Sequence, residues 1–298
     1  QQAFDGNAVM IRNPLPRVDE YYNIMQSRFT LIGSVSGVGK TSFMDNTFVL
    51  RNHFAAKGLE GSRFETIYLS MERKAMFKHA KFYAWLLYTQ FGYRISSDYI
   101  MGHGPVGYSD IQSKYGITKE KLFDSMNKVE PLLIDILDAT HIYDGRTSVD
   151  KVINLVHTKA AELGTLFTAD DTGVFIGPTQ TAGYIKMFDD EVYHETKMGR
   201  VPYVEINSNG QTFQIEKNKH HYQFNNEKTF LQVCVDGVGL IEGRAGQSTK
   251  QAVDEITNVL ADARDVYGFS PVMVSQFNRG ISNIDRQKAH GSDLSPQE

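Results

Sequence analysis

The feature that most constrains this chain is a glycine-rich segment between a predicted strand and a predicted helix. Its residues are Gly33-Ser34-Val35-Ser36-Gly37-Val38-Gly39-Lys40-Thr41-Ser42. The apolar run Phe29-Thr30-Leu31-Ile32 before it predicts a short buried strand, and apolar residues at helical spacing follow Thr41. A strand that enters a helix through such a turn is the setting of a phosphate-binding loop, because helix N-terminal amides face the anion. The segment therefore predicts a phosphate site.

The residue types within this segment favour a nucleoside triphosphate with magnesium. Gly37 and Gly39 let backbone amides turn inward around phosphate oxygens, Lys40 can reach the β and γ phosphates, and the Thr41 hydroxyl can ligate Mg²⁺. Ser34 stands where this pattern usually has glycine or alanine, and serine is also small. A chance glycine-rich turn is the alternative. The predicted nucleotide-binding residues are Gly33, Ser34, Ser36, Gly37, Val38, Gly39, Lys40, Thr41 and Ser42.

Three polar residues end predicted strands, and parallel strands end at one edge of a sheet. Asp236 ends an apolar strand and is expected to hold magnesium together with Thr41; its alternative is to cap the turn at Gly237. Glu72 follows a second strand and can activate the attacking water, although a helix N-terminus also favours glutamate. Gln276 ends a third strand and can sense the γ phosphate, or satisfy loop backbone instead.

The alternation of strands and helices predicts an α/β fold with a doubly wound, mainly parallel sheet. Residues 165–229 differ, because alternating strand patterns flank Asn209-Gly210, a strong hairpin signal. The expected organisation is an N-terminal arm (1–28), a first core part (29–164), a β-rich insertion (165–229) and a second core part (230–298). Before the insertion, Thr147 is expected to cap the helix Val149 to Leu163, and Gly164 to end it in the left-handed conformation.

Composition limits the other classes of function. The formal net charge of −4, with 41% hydrophobic and 22% charged residues, is that of an ordinary globular protein, so nucleic-acid contacts must be local. Cys234 is the single cysteine, which excludes a disulfide framework and a cysteine zinc site. His194, His220 and His221 lack matching ligand spacing and are expected at the surface. No apolar run suffices for a membrane span and no signal peptide is visible, so a cytoplasmic location is expected.

The order of these motifs resembles the helicase core of DnaB-type replicative helicases, which are RecA-like P-loop NTPases of superfamily 4, especially those encoded by tailed phages. The similar segments are Leu15-Pro16-Arg17-Val18-Asp19-Glu20-Tyr21, the P-loop, Leu69-Ser70-Met71-Glu72, the Asp236 strand, Val274-Ser275-Gln276-Phe277-Asn278-Arg279 and Ser292-Asp293-Leu294. The resemblance covers most of residues 10–165 and 230–298. It implies a RecA-like fold and an ATP-dependent, ring-forming DNA helicase of phage replication, located in a bacterial host's cytoplasm.

The resemblance also implies roles for residues. Glu72 would be the catalytic base and Gln276 the sensor, with ATP bound between subunits of a homo-oligomeric, six-membered ring. Single-stranded DNA would pass loops at residues 243–247 and 280–291. The expected DNA-binding residues are Arg244, Arg279, Arg286 and Lys288. The alternative is that these loops carry solvated charges only.

The chain departs from this family in three ways. It is expected to lack the family's separate N-terminal domain, so contacts with a primase or loader stay open. The insertion at residues 165–229 has no counterpart. The sequence stops before the family's last strands and the arginine that reaches a neighbour's ATP site, so the core is expected to be incomplete at its C-terminus. Two other functions remain: a RecA- or RadA-like DNA-dependent ATPase that does not unwind DNA, and a structural or cargo protein that keeps the nucleotide-binding fold.

Overall fold

The computed structural model describes residues 10–11, 24–25, 27–35, 37–103, 107–189, 191–197 and 199–276. The helices are α1 (Lys40–Met44), α2 (Arg51–Lys57), α3 (Ala75–Phe91), α4 (Ser97–Ile100), α5 (Tyr108–Tyr115), α6 (Lys119–Ala139), α7 (Val149–Leu163) and α8 (Thr249–Tyr267). A π-helical segment, Asp45–Leu50, joins α1 to α2, and a 3₁₀ turn spans Val238–Leu240. Within the described ranges, no helix combines the length and apolar character that a bilayer crossing needs.

Most strands belong to one parallel sheet or to the antiparallel region that follows α7. The strands are β1 (Met10–Ile11), β2 (Ile24–Met25), β3 (Thr30–Ser34), β4 (Arg63–Ser70), β5 (Thr140–Asp144), β6 (Gly164–Ala169), β7 (Gly173–Ile176), β8 (Lys186–Met187), β9 (Tyr193–Thr196), β10 (Gly199–Ser208), β11 (Gln211–Glu216), β12 (His220–Phe224), β13 (Thr229–Asp236) and β14 (Ser270–Gln276). In the predicted N-terminal arm, β1 and β2 pair antiparallel. The strand before the P-loop is β3, which extends two residues beyond the predicted end at Ile32.

The central sheet has the strand order β3-β14-β13-β4-β5, and every neighbouring pair is parallel. Asp236 on β13 pairs with Ser70 on β4 and with Val274 on β14, and Ser70 pairs in turn with Asp144 on β5. The carboxyl ends of the strands therefore lie together at one edge. Three of the predicted site residues, Glu72, Asp236 and Gln276, lie at or just beyond this edge.

Two hydrophobic cores cover the two faces of this sheet. On β13, Phe230 and Cys234 face the core formed with α1 to α6, whereas Val233 and Val235 face the core formed with α7 and α8. Side chains of a strand alternate between faces, so a strand with helices on both sides is buried along its length and mostly apolar. All eight residues of β13 are buried accordingly. The predicted α/β fold with a doubly wound, mainly parallel sheet is confirmed.

Antiparallel strands occupy the chain from β6 to β12. They form a four-stranded sheet of order β12-β6-β7-β8 and a three-stranded sheet of order β11-β10-β9. Asn209 and Gly210, with φ of 50° and 77°, form the two-residue turn between β10 and β11, as the sequence predicts. A small third core includes Phe167, Val204 and Ile215. The domain boundaries at residues 165 and 229 stay predictions.

Two local predictions at α7 are wrong. The cap is Ser148, whose hydroxyl accepts a hydrogen bond from the amide of Lys151, and Thr147 is buried one residue earlier. Gly164 has φ −171° and ψ −170°, so it is extended and begins β6 directly after the helix. A Cβ at Gly164 would lie 2.3 Å from the Gln223 carbonyl oxygen and 2.6 Å from the Tyr222 hydroxyl. This position therefore requires glycine for close packing rather than for a left-handed turn.

We expect Gly164→Ala to lower the free energy of unfolding by about 2 kcal/mol or more, because the added methyl group overlaps backbone on β12. Gly239→Ala is the matched control, since a Cβ there meets nothing within 4 Å. The control should change stability by less than about 0.5 kcal/mol. Urea unfolding of both variants measures the difference, and equal stabilities would show that β12 does not constrain Gly164.

Candidate nucleotide-binding site

A cavity of about 1130 Å³ opens at the carboxyl edge of the central sheet. It is bounded by the P-loop, the segment after β4, the 3₁₀ turn after β13, the first turns of α8 and the end of β14. Its lining residues include Gly37, Gly39, Lys40, Thr41, Ser42, Glu72, Arg73, Lys81, Arg146, Gly237, Gly239, Thr249, Lys250, Ser275 and Gln276. The P-loop and two of the predicted strand-end residues, Glu72 and Gln276, thus line one cavity.

The P-loop has the backbone that its glycines predict. Gly37 and Gly39 have φ of 82° and 92°, a region that favours glycine, and a Cβ on either would meet nothing within 4 Å. Glycine is therefore needed there for the backbone angle and not for space. Gly39 caps α1 without a side-chain hydrogen bond, so no side chain covers the first amides of the helix. Gly33 and Ser34 lie in β3, and Ser36 lies outside the described residues.

The ammonium group of Lys40 folds back onto the loop. Its Nζ donates to the carbonyl oxygens of Ser34 at 2.9 Å and Val35 at 2.7 Å. An ammonium group has three donors, so two carbonyls leave one donor for a further acceptor. Because Lys40 lines the cavity, that acceptor can be a ligand oxygen.

Thr41 and Asp236 meet at the base of the cavity. The Thr41 hydroxyl donates to Asp236 Oδ1 at 2.8 Å, although the two residues lie 195 positions apart in the sequence. Asp236 is 1% exposed, and its backbone carbonyl accepts a hydrogen bond from the amide of Met71 at 3.1 Å. The two predicted magnesium-binding residues thus lie side by side.

Glu72 is exposed and packs against the turn that follows Asp236. A Cβ at Gly237 would lie 2.8 Å from Glu72 Cγ, and Gly237 has φ 87°, so glycine is needed there for two reasons. Two hydrogen bonds fix the turn that carries Glu72. The Met71 amide donates to the Asp236 carbonyl oxygen, and the Ser70 hydroxyl donates to the Arg73 carbonyl oxygen at 2.6 Å. Glu72 therefore faces the cavity from a constrained turn. Gln276 faces the same cavity from the exposed end of β14.

The sequence analysis did not anticipate four basic side chains of the cavity. Arg73 follows β4 as Glu72 does, Arg146 follows β5, Lys81 lies on α3, and Lys250 lies in the first turn of α8. Burial lowers the pKa of Lys81, whose Nζ lies 3.3 Å from the Ser42 hydroxyl. Among the cavity-lining residues that the structure describes, Glu72 is the one acidic side chain. The cavity is therefore strongly cationic and suits a polyanion.

Beneath the cavity lies a fully buried lysine that the sequence analysis also missed. Lys78 Nζ lies 2.8 Å from Asp236 Oδ2 and 3.1 Å from Asp45 Oδ1, and it also donates to the Tyr68 hydroxyl. The Tyr68 hydroxyl donates to Asp45 Oδ1 at 2.6 Å. Burial, followed by the neighbouring carboxylates of Asp45 and Asp236, raises the pKa of Tyr68 well above its usual value.

Of the predicted DNA-binding residues, Arg244 lies within the described ranges, whereas Arg279, Arg286 and Lys288 lie outside them. The Arg244 guanidinium is paired with Asp150 at 2.9 Å and with Glu255 at 3.2 Å. Both Arg244 and Asp150 are about 60% exposed, so solvent screens this pair and it adds little to stability. The role of Arg244 in DNA binding stays a prediction.

Among the residues that the structure describes, neither cysteine nor histidine lines this cavity. Burial raises the pKa of the Cys234 thiol to about 12, which keeps it protonated. His194 stacks on Tyr203 with ring centroids 4.0 Å apart, and His221 stacks on Phe213 at 3.9 Å. No group of three acidic, histidine or cysteine side chains in the described part of the chain is arranged to hold a metal ion unaided.

No known protein family matches this sequence, and no curated protein sequence matches it either. The structure is similar to a solved structure of a DnaB-like replicative helicase, described together with its interactions with primase. The TM-score is 0.52 at 12% sequence identity, over 100% of this chain and 48% of the other. The chain thus spans about half of that helicase chain, and the similarity concerns the fold. The prediction of a RecA-like core is confirmed as far as the fold is concerned.

We expect Gly237→Ala to slow nucleotide hydrolysis at least tenfold while nucleotide affinity changes much less. The added Cβ must displace Glu72, and a displacement of about 1 Å can cost about 100-fold in rate. Gly116→Ala is the matched control, because Gly116 also has a positive φ, 61°, but open space around its Cβ. Both variants should lose stability, because alanine is strained at a positive φ. Equal rates of hydrolysis in the two variants would contradict a role for the position of Glu72.

Proposed function

We propose that this chain binds and hydrolyses ATP with magnesium and is the motor part of a ring-forming, DnaB-type DNA helicase. The observation that carries the proposal is the 2.8 Å contact between the Thr41 hydroxyl and the buried Asp236 carboxylate, beneath a cavity lined by basic side chains. A lone phosphate-binding turn supports anion binding only. The added carboxylate supports a metal–nucleotide complex, because it would repel an anion that arrived without a cation.

The residues present fit magnesium. Mg²⁺ prefers oxygen ligands and is usually held by one or two carboxylates together with substrate phosphates. Thr41 and Asp236 supply a hydroxyl and a carboxylate oxygen at one point. Thr41 and Asp236 would hold the magnesium ion, which would supply positive charge to stabilise a bound phosphate.

Each remaining side chain has a role that its position supports. Lys40 has a donor left for the β and γ phosphates, and Arg73 and Arg146 add positive charge at the same strand edge. Glu72 is exposed beside Gly237 and can accept a proton from the attacking water. Gln276, at the end of β14, is the candidate sensor of the γ phosphate. Removal of a general base typically costs 10²- to 10⁴-fold in rate.

The helicase part of the proposal rests on the fold and on the predicted loops. The similarity to a DnaB-like replicative helicase favours a motor that moves along single-stranded DNA. Arg244, Arg279, Arg286 and Lys288 are the proposed DNA contacts. A homo-oligomeric ring, a hexamer by the resemblance, would place the open cavity against a neighbouring subunit. Phage origin, a bacterial cytoplasm and contacts with a primase belong to the same proposal.

One observation favours a second candidate, a RecA- or RadA-like ATPase that does not unwind DNA. Arg244, the proposed DNA contact that the structure describes, is paired with Asp150 and Glu255 on α7 and α8. A DNA phosphate must replace these carboxylates before Arg244 can bind it. If Arg244 serves only to hold its loop, Arg244→Ala will leave the effect of DNA on ATP hydrolysis unchanged.

We expect Lys40→Ala to abolish ATP binding, and Glu72→Gln to retain ATP binding while hydrolysis falls at least 100-fold. Phosphate release with and without single-stranded DNA measures these effects, and fluorescent nucleotide binding separates the two variants. Stimulation by DNA, lost in both variants, is the outcome expected of a helicase motor. Hydrolysis that ignores DNA would contradict the motor and the DNA-dependent second candidate alike, whereas DNA-stimulated hydrolysis without strand displacement would favour the second candidate. Binding without hydrolysis in the unmodified chain would support a structural protein that keeps the fold.

A further inference from the structure

Lys78 is the least expected charged group of the structure. It lies one turn into α3 and its side chain is fully buried. Lysine is almost never fully buried unless it is paired, because removing an ammonium group from water is costly. Here the ammonium group has oxygen partners on three residues, Asp45, Tyr68 and Asp236. These partners come from three different elements: the π-helical segment, β4 and β13.

The π-helical segment directs Asp45 toward this lysine. Asp45 is the first residue of the segment, which continues α1 directly, and it is 4% exposed. π-Helical turns are rare and often occur at functional sites. The Asp45 carboxylate contacts Lys78 and Tyr68, and Lys81 Nζ lies 3.6 Å from its Oδ2. Its negative charge is therefore balanced by two lysines of α3.

The two oxygens of Asp236 have different partners. Oδ1 accepts from the Thr41 hydroxyl at 2.8 Å, on the side of the P-loop. Oδ2 accepts from Lys78 at 2.8 Å on the side of the core, where the Tyr68 hydroxyl, whose proton is directed to Asp45, lies 3.3 Å away. A carboxylate held through one oxygen presents the other in a fixed direction. Lys78 thus holds Asp236 from behind and leaves Oδ1 beside Thr41.

We propose that Lys78 is a positioning residue for the magnesium site, which fixes the Asp236 carboxylate so that Oδ1 faces the P-loop. This inference rests on the proposed function, because it gives Asp236 the role of holding magnesium. Lys78 does not line the cavity and acts through Asp236. Groups that orient a metal-binding carboxylate typically change metal affinity 10- to 100-fold when they are removed.

Positioning and simple charge repulsion predict opposite effects. Lys78 is a cation close to the magnesium site, so by Coulomb's law alone its removal should strengthen magnesium binding. If Lys78 positions Asp236, its removal should weaken magnesium binding, because the carboxylate is then free to rotate toward other partners. The direction of the change therefore separates the two explanations.

The test needs variants in which the buried charges stay balanced. Lys78→Met alone would leave two buried carboxylates without their shared cation, which threatens folding. Asp45→Asn removes one carboxylate and keeps the contact between Lys78 and Asp236. Adding Lys78→Met to Asp45→Asn then restores the net charge of the three groups and removes the ammonium group, with its contacts to Asp236 and to the Tyr68 hydroxyl. Lys78→Leu in the same background is a second apolar replacement, so the comparison does not depend on one variant folding.

The measurement is the binding of fluorescent ADP, first with EDTA and then across a magnesium titration, after thermal unfolding has shown that each chain is folded. We expect the double variant to need about tenfold more magnesium for half-saturation than Asp45→Asn, with equal affinity for ADP in EDTA. Lys128→Met, which breaks an exposed ion pair with Asp124 on α6, is the control and should match the unmodified chain.

An equal or lower magnesium requirement in the double variant would overturn the positioning role of Lys78. The positioning role would also be overturned if the double variant lost ADP affinity in EDTA to the same extent as with magnesium, because such a loss would indicate general damage to the site. If the unmodified chain binds ADP without any effect of magnesium, the proposed function fails first and this inference with it. The unmodified chain thus separates failure of the function from failure of the inference.

Discussion

The buried carboxylate of Asp236 is the group on which the rest of the site depends. A carboxylate at 1% exposure is costly unless charges and hydrogen bonds compensate it, and here Thr41, Lys78 and Tyr68 supply them. Each of these partners comes from a different element, so the compensation of one charge also fixes α1, α3 and β4 relative to β13. The P-loop and the segment that carries Glu72 are therefore positioned by the same interaction that stabilises Asp236.

The parallel sheet explains why distant residues meet at this point. With the order β3-β14-β13-β4-β5, every strand delivers its carboxyl end to one edge, and the segments that follow β4, β5 and β13, together with the end of β14, all border the same cavity. The backbone hydrogen bond from Met71 to Asp236 then couples the turn that carries Glu72 to the end of β13. Basic residues on five elements, namely α1, α3, α8 and the segments after β4 and β5, make the cavity cationic, while Glu72 and Asp236 are the acidic groups to which the proposed hydrolysis assigns roles.

Much of this arrangement follows from the sequence, because the signals are local. The P-loop, the buried strand before Asp236 and the Asn209-Gly210 hairpin each depend on a few adjacent residues whose backbone preferences are strong. Lys78 could not be predicted in this way, since its partners Asp45 and Asp236 lie 33 and 158 positions away and a lysine within a helix normally faces solvent. Gly164 is a similar case: glycine at the end of a helical pattern suggests a left-handed cap, whereas the close approach of β12 is what requires it. Arg146 follows the end of a strand as Glu72 does. The sequence alone does not show that β5 lies beside β4 in the sheet, so it could not predict that Arg146 borders the same cavity.

The measurement that tests the central claim most directly is the stoichiometry of metal and nucleotide binding at the pair formed by Thr41 and Asp236. Manganese can replace magnesium as a paramagnetic probe, and its binding can be followed with and without ADP in the unmodified chain and in Asp236→Asn. The account predicts one tightly bound manganese ion for each ADP in the unmodified chain, and loss of that ion with retention of ADP in the variant. Manganese binding that is the same with and without ADP, or the same in the unmodified chain and in Asp236→Asn, would contradict this account.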